Sequence, residues 1–278
     1  MNAKFRLIIV AILAGVLVSM SGCGFINKLR AKNSLNEGVR AFNGGKYESA
    51  QQMFAEALEF DSENVNAQLF YARAINARFE QKQTEELGLK ALDAYQNIIN
   101  HSKDNPKAVD QALAFQAKVY DELAAIVTDK AQQYKDKSRD TLLKRADVPG
   151  ATNKVKADVY YTIGQGYWQE SYSISKRYTK TQANGKLEFD NKGIDAASLG
   201  KMKQAILKAH EYLQKALSIE PDYADAWIYE KLVYVEESKI ETNPAKRQEF
   251  EKKMTEDQEN YKKYHDQQQA AAQAGATP

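Results

Sequence analysis

Residues 36–61, NEGVRAFNGGKYESAQQMFAEALEFD, leave this chain few ways to fold. Read at helical spacing, they make two short amphipathic helices on either side of Gly44-Gly45. Small residues (Gly38, Ala50, Ala57) stand where two antiparallel helices must touch. Large ones (Phe42, Tyr47, Phe54, Leu58) stand where a neighbouring unit must be gripped. Gly45 supplies the turn, because a residue without Cβ takes positive φ at no steric cost. One such hairpin cannot bury its apolar face alone, so more hairpins must be stacked against it.

The rest of the chain supplies them. A second pair begins at Val65, with Ala72 in the place of Gly38. Its second helix comes late, at Ala91, Tyr95, Ile98 and Ile99, after seven extra residues around Gln81–Glu86 that lengthen the first helix or the turn. Asn105-Pro106 closes that pair. A stripe at Ala108, Ala112, Phe115, Val119, Leu123 and Ile126 predicts a third, followed by a helix over 129–145 carrying Tyr134, Leu142 and Leu143. The fourth opens with KADVYYTIGQGYW (156–168) and resumes only near Ala196, where Ala209, Leu213, Ala216, Leu217 and Pro221 restore the pattern. Between them lies an insertion, roughly 172–200, whose Gly185, Gly193 and Gly200 predict that part of it is a loop. A last helix over 245–264 presents Phe250, Met254, Tyr261 and Tyr264 on one face, as a terminal cap requires. The tail QQQAAAQAGATP reads as disordered.

The first unit resembles the tetratricopeptide repeat, whose period is 34 residues. Leu35, Gly38, Gly45, Tyr47, Ala50, Phe54, Ala57 and Leu58 stand in the family's register; only the closing proline is missing, with Asp61 and Ser62 in its place. The resemblance implies an all-α, right-handed superhelix of about four to five helix-turn-helix repeats, some degenerate, with a C-terminal capping helix. The repeats fall at about 31–64, 65–105, 107–150, 155–221 and 222–264, within a solenoid spanning 33–264 and followed by a tail over 265–278. It also implies a groove lined by the first helix of each repeat. Carried over by repeat position, the groove would present Phe42 and Asn43, then Arg73 and Asn76, then Tyr161, Gln165 and Trp168. The clamp by which some members hold a terminal carboxylate needs several cationic and amide residues, and only Arg73 matches, so that mode is not supported. Tyr161 and Trp168 read either as packing or as anchors for a peptide or glycan, since Tyr and Trp are favoured at binding hot spots.

The N-terminus reads as an address. Lys4 and Arg6 precede an apolar run, Leu7–Val18, that is shorter than the ~20 residues needed to span a bilayer. Met20-Ser21-Gly22-Cys23 then resembles a bacterial lipobox, and Cys23 is the chain's single cysteine. This predicts a signal peptide over 1–22, acylation at Cys23, and a short tether over 23–32. Gly24 in place of aspartate implies, by resemblance to bacterial lipoproteins, the outer membrane and a periplasm-facing protein.

Composition excludes much else. Without Lys4 and Arg6 the chain has 37 basic and 37 acidic residues, so no basic surplus points to nucleic acid. One cysteine permits no internal disulfide, and His101, His210 and His265 share no metal-ligand spacing, so each reads as a surface or groove residue. No nucleophile, phosphate-loop or metalloprotease motif occurs, and Gly164-Gln165-Gly166 reads as close helix packing. No acidic residue stands in an apolar run that would raise its pKa. The sequence therefore predicts no enzyme and no cofactor. It predicts a membrane-anchored scaffold binding other envelope proteins in outer-membrane protein, pilus or secretin, or cell-wall assembly, the alternative being a periplasmic peptide- or glycan-binding lipoprotein.

Overall fold

The Gly-Gly turn sets the first contact. In the computed structural model, which describes residues 24–182, 185 and 187–275, helix α1 (24–43) ends on Gly45 at φ 72°. Gly44 N–H donates to Arg40 O at 3.0 Å, and Lys46 N–H to Ala41 O at 2.9 Å, satisfying carbonyls that the helix end would leave open. Helix α2 (Tyr47–Phe60) folds back and buries Ala50, Phe54 and Ala57. A Cβ on Gly38 would lie 2.5 Å from Phe54 Cε1, so glycine is what admits the ring there. Phe54 in turn stacks on Phe70 of the next pair, with centroids 5.3 Å apart.

The chain divides into two compact units, Met1–Thr141 and Leu142–Pro278. In the first, α1 and α2 are followed by α3 (Val65–Lys82), α4 (Glu85–His101) and α5 (Pro106–Ile126). Each of α2 to α5 packs on its neighbour in sequence, as stacked hairpins must. The extra residues of the second pair go into the helices, since the turn is only Gln83 and Thr84, with Gln83 left-handed at φ 50°. Asn64 and Asn105 cap α3 and α5 by accepting from Ala67 N–H and Ala108 N–H. A one-turn 3-10 helix (Thr128–Lys130) leads into α6 (Ala131–Ala146), within which the unit boundary falls. The core here is Phe79, Leu87, Ala91, Tyr95, Ile98, Val119 and Leu123.

The second unit holds α7 (Asn153–Arg177), α8 (Ala196–Ile219), α9 (Ala224–Ile240) and α10 (Pro244–Gly275), again in sequential contact. Gly164 of α7 meets Leu213 of α8, where a Cβ would lie 2.7 Å from Leu213 Cγ. Gly166 has nothing within 4 Å of such an atom, so of the two glycines only Gly164 serves close packing.

Three segments differ from the sequence reading. The insertion is largely ordered: α7 continues to Arg177, and strands β1 (Thr179–Thr181) and β2 (Leu187–Phe189) form an antiparallel hairpin. Asp195 then caps α8. Tyr178 O–H donates to Asp195 Oδ2 at 2.6 Å and Asn191 Nδ2 to Lys239 O at 2.6 Å, tying the insertion to α8 and α9. Residues 24–32, read as a tether, are the opening turns of α1, and Ala31 is fully buried. The tail is helical as far as Gly275, because a run of Ala and Gln carries high helix propensity once α10 has been nucleated upstream. The signal-peptide stretch and Cys23 lie outside the described residues.

Candidate functional site

The residues expected to line one groove fall into two sets, one in each unit. In the first unit Arg73 of α3 is half-buried. Its guanidinium lies 5.4 Å from the ring centroids of each of Phe42, Phe70 and Phe115. Among the described residues no carboxylate pairs with it, so the aromatic faces are its partners. Phe42 also packs against Tyr47 at 5.1 Å, while Asn43 stands exposed at the end of α1. Asn76 is not presented to a partner. It is only 6% exposed and donates Nδ2–H to Glu80 Oε1 at 3.2 Å, because α3 is covered by α2, α4 and α5. Glu80 is held in turn by Lys118 at 2.6 Å. Behind this set Tyr95 is fully buried, its hydroxyl without a partner among the described residues. Burial first, and Glu80 and Glu122 after it, push its pKa up. A separate cleft of about 710 Å³ opens between α2, α3 and α4, with Leu58, Tyr71, Ile75 and Leu89 on its walls.

In the second unit α7 and α9 together build an aromatic wall. Tyr161 lies 5.0 Å from Tyr223 and 5.6 Å from Tyr229; Trp168 stacks on Tyr172 at 5.3 Å and meets Tyr229 edge-on at 5.1 Å. Gln165 Nε2 donates to Tyr229 O–H at 2.7 Å, fixing that ring between the other two. The spacing explains the set, since residues 161, 165, 168 and 172 recur along one helical stripe. All five rings are half-buried, with flanks open to solvent. Trp168 Nε1 is enclosed without an acceptor among the described residues. At the wall's end Lys239 lies 5.8 Å from the Tyr172 centroid and bonds Glu236 at 2.6 Å.

A third constellation went unread in the sequence. His210 of α8 reaches Glu230 Oε1 through Nδ1 at 2.7 Å and Glu237 Oε2 through Nε2 at 3.3 Å, and Gln214 also donates to Glu230. Burial pulls the imidazole pKa down, but the two glutamates outweigh it and carry it up to about 9. His210 is therefore a half-buried imidazolium held between two helices rather than a free surface residue. Asp257 of α10 is 4% exposed; burial first, and the charge of Glu230 next, push it up to about 7. Glu230 and Asp257 share a cleft of about 480 Å³ with Trp227, Tyr234 and Lys253. The signal was present: Asp257 stands seven residues after Phe250 and four before Tyr261, inside the stripe read as apolar. Among the described residues no group of side chains is arranged to hold a metal ion, and no helix is long and apolar enough to cross a membrane.

No protein-family model matches the chain, and no curated protein matches it. Among solved structures it is similar to the crystal structure of MamA protein, at 18% identity over 84% of this chain and 95% of that one, with a TM-score of 0.45. A second MamA crystal structure aligns at 18% identity over 82% of this chain and 96% of that one, with a TM-score of 0.43. A monomeric IFIT1 mutant with Gppp-AAAA aligns at 17% identity over 81% of this chain and 50% of that one, with a TM-score of 0.31. The assignment of an all-α fold of tetratricopeptide-like hairpins rests on the contacts above, such as those of Gly38 with Phe54 and Gly164 with Leu213.

Proposed function

We propose that this protein is a lipid-anchored, periplasm-facing scaffold whose hairpins bind other proteins of the cell envelope during assembly of that envelope. The aromatic wall of α7 and α9 carries the reading. Tyr161, Trp168, Tyr172, Tyr223 and Tyr229 offer stiff side chains whose faces are partly desolvated before a partner arrives, which reduces the ordering cost of binding. The Arg73 set of the first unit supplies a second contact of different chemistry, a cation held on aromatic faces with its N–H edges uncommitted to any described carboxylate. Two surfaces of unlike character suit a protein that joins partners. The address rests on Cys23 and the apolar run before it.

The test is in-cell cross-linking, followed by purification of the full chain from membranes in mild detergent. The parent chain should recover a defined set of envelope proteins. A Trp168→Ala/Tyr229→Ala variant with unchanged helical content should lose at least one of them about tenfold. Equal recovery by both, or no recovery by the parent, would refute the proposal.

A further inference from the structure

The opening turns of α1 are amphipathic in the wrong sense for a surface helix. Successive helical residues turn by about 100°, which places Leu29 about 140–180° from Ala31, Ser34 and Gly38. Those three are buried and face the core. The outward side should be polar, yet Phe25 is 72% exposed, Ile26 49% and Leu29 51%. These three account for most of the exposed large apolar side chains among the described residues, the others being Leu89 and Leu207. Around them stand Lys28, Arg30 and Lys32, and the chain has no acidic residue before Glu37. Arg30 also lies on the Phe60 ring at 5.6 Å, which couples this end of α1 to α2. The chain just before it carries the apolar run Leu7–Val18 and then Cys23.

We infer that residues 24–32 are a membrane-contact face, with Phe25, Ile26 and Leu29 seated among the acyl chains of an anionic bilayer and Lys28, Arg30 and Lys32 at its headgroups. The occupant follows from chemistry. Exposed apolar side chains on a helix flanked only by cations match the interfacial helix pattern, in which the apolar face enters the boundary region and the basic flanks meet anionic lipid. A protein partner is a weaker match, because a stretch with no acidic residue would also repel basic surfaces. The inference adds to the proposed anchor a fixed orientation: α1 would lie along the membrane rather than hang from a slack tether. It uses the anchor's location but does not require the lipid on Cys23.

The experiment uses the full chain bound to vesicles of phosphatidylethanolamine and phosphatidylglycerol at 3:1 containing bromolipid. Tryptophan is introduced in turn at two sites within six residues of Cys23: Leu29→Trp on the outward face and Asn27→Trp, which is nearer the anchor but stands only about 40° from Ala31 around the helix. Signal from Trp168 and Trp227 is subtracted using the parent. Both variants should float with the vesicles, and the tryptophan at 29 should be quenched at least threefold more than the one at 27. Replacing Lys28, Arg30 and Lys32 with Gln in a Cys23→Ser background should weaken flotation by about fivefold per charge, and high salt should do the same. Flotation with equal quenching at 27 and 29 would overturn the membrane face while leaving the anchor intact. Failure of the Leu29→Trp chain to float would overturn both. Shielding of position 29 without lipid, with a dimer in sedimentation, would overturn it in favour of a second copy of the chain.

Discussion

The two glycines of α7 are two residues apart, and their surroundings predict opposite outcomes for one substitution. At Gly164 an added methyl would sit 2.7 Å from Leu213 Cγ, 3.1 Å from its Cδ2 and 3.1 Å from its backbone N. Carbon contacts are comfortable at about 3.5–4.0 Å, so both the side chain and the backbone of α8 would have to yield. Rotating Leu213 relieves only the first clash. Overpacking of this kind costs about 1–3 kcal/mol, against about 1 kcal/mol gained from replacing a helical glycine with alanine. Gly164→Ala should therefore destabilise by up to about 2 kcal/mol. Gly166→Ala meets nothing within 4 Å and should stabilise by about 0.5–1 kcal/mol. For a unit of this size the shifts in midpoint are down by up to about 8 °C at Gly164 and up by about 2 to 4 °C at Gly166. Both tryptophans of the chain, Trp168 and Trp227, lie in this unit, so fluorescence during thermal or urea unfolding reports on it alone. In a Leu213→Ala background the penalty at Gly164 should shrink to what the 3.1 Å backbone contact leaves, a coupling that a double-mutant cycle measures. Shifts of the same sign at Gly164 and Gly166, or a penalty undiminished by Leu213→Ala, would refute the role given to this contact.

Other consequences can be measured with the same material. Asp257 titrates near 7 when folded against an ordinary value of 3.8, so the folded state holds a proton that the unfolded chain releases. Stability of the second unit should fall as pH rises from about 4 to about 7, and Asp257→Asn should flatten that limb. His210 behaves as the usual raised histidine: its contribution is full below 6.5 and is lost as pH climbs through about 9, so His210→Gln should remove the alkaline limb. A parent midpoint constant from pH 4 to 9 would contradict both. Tyr95→Phe removes a buried hydroxyl that has no partner among the described residues, and should leave the first unit as stable or up to about 1 kcal/mol more so; a loss above that would mean the hydroxyl is bonded. Cys23→Ser should abolish the diacylglycerol mass increment on the mature chain, and an unchanged mass spectrum of the lipid-bearing peptide would dispose of the lipobox reading.

The parts legible in the sequence were those governed by neighbours within one hairpin. Gly38 opposite Phe54, the Gly45 turn and the stripe from Ala108 to Leu123 follow from period and residue size alone. The hidden parts depend on more distant partners. The β-hairpin consists of two three-residue strands, too short for alternation to register, and it is held by Asp195 and Lys239. Residues 24–32 looked like a tether because their large apolar residues do not face the core; only Ala31 does. Asn76 occupies a groove position by repeat register yet is covered, because α3 is flanked by three helices. Of the candidate site, the Tyr161, Gln165 and Trp168 stripe could be read directly, whereas Tyr229 and Tyr223, which complete the wall, come from the next hairpin.

The charges buried in the second unit give the energetic form of that distinction. Replacing a buried ion pair with apolar residues of the same shape is often neutral or stabilising, whereas removing one partner costs several kcal/mol. His210 with Glu230 and Glu237 is therefore poor evidence for stability and better evidence for register. The two glutamates are seven residues apart, two turns of α9, and each meets a different ring nitrogen. A slip of α9 by one turn would bring Val233 or Tyr234 to the place of Glu230 and take from the imidazolium its shorter contact, the one at 2.7 Å. The small and apolar residues that α9 buries, Ala224, Ala226 and Val233, are interleaved with buried Glu230 and Glu236, so a one-turn slip would also carry a carboxylate into an apolar place. Register at this interface is thus fixed by the penalty for misplacing charge, and that penalty is absent from any reading that counts apolar residues alone.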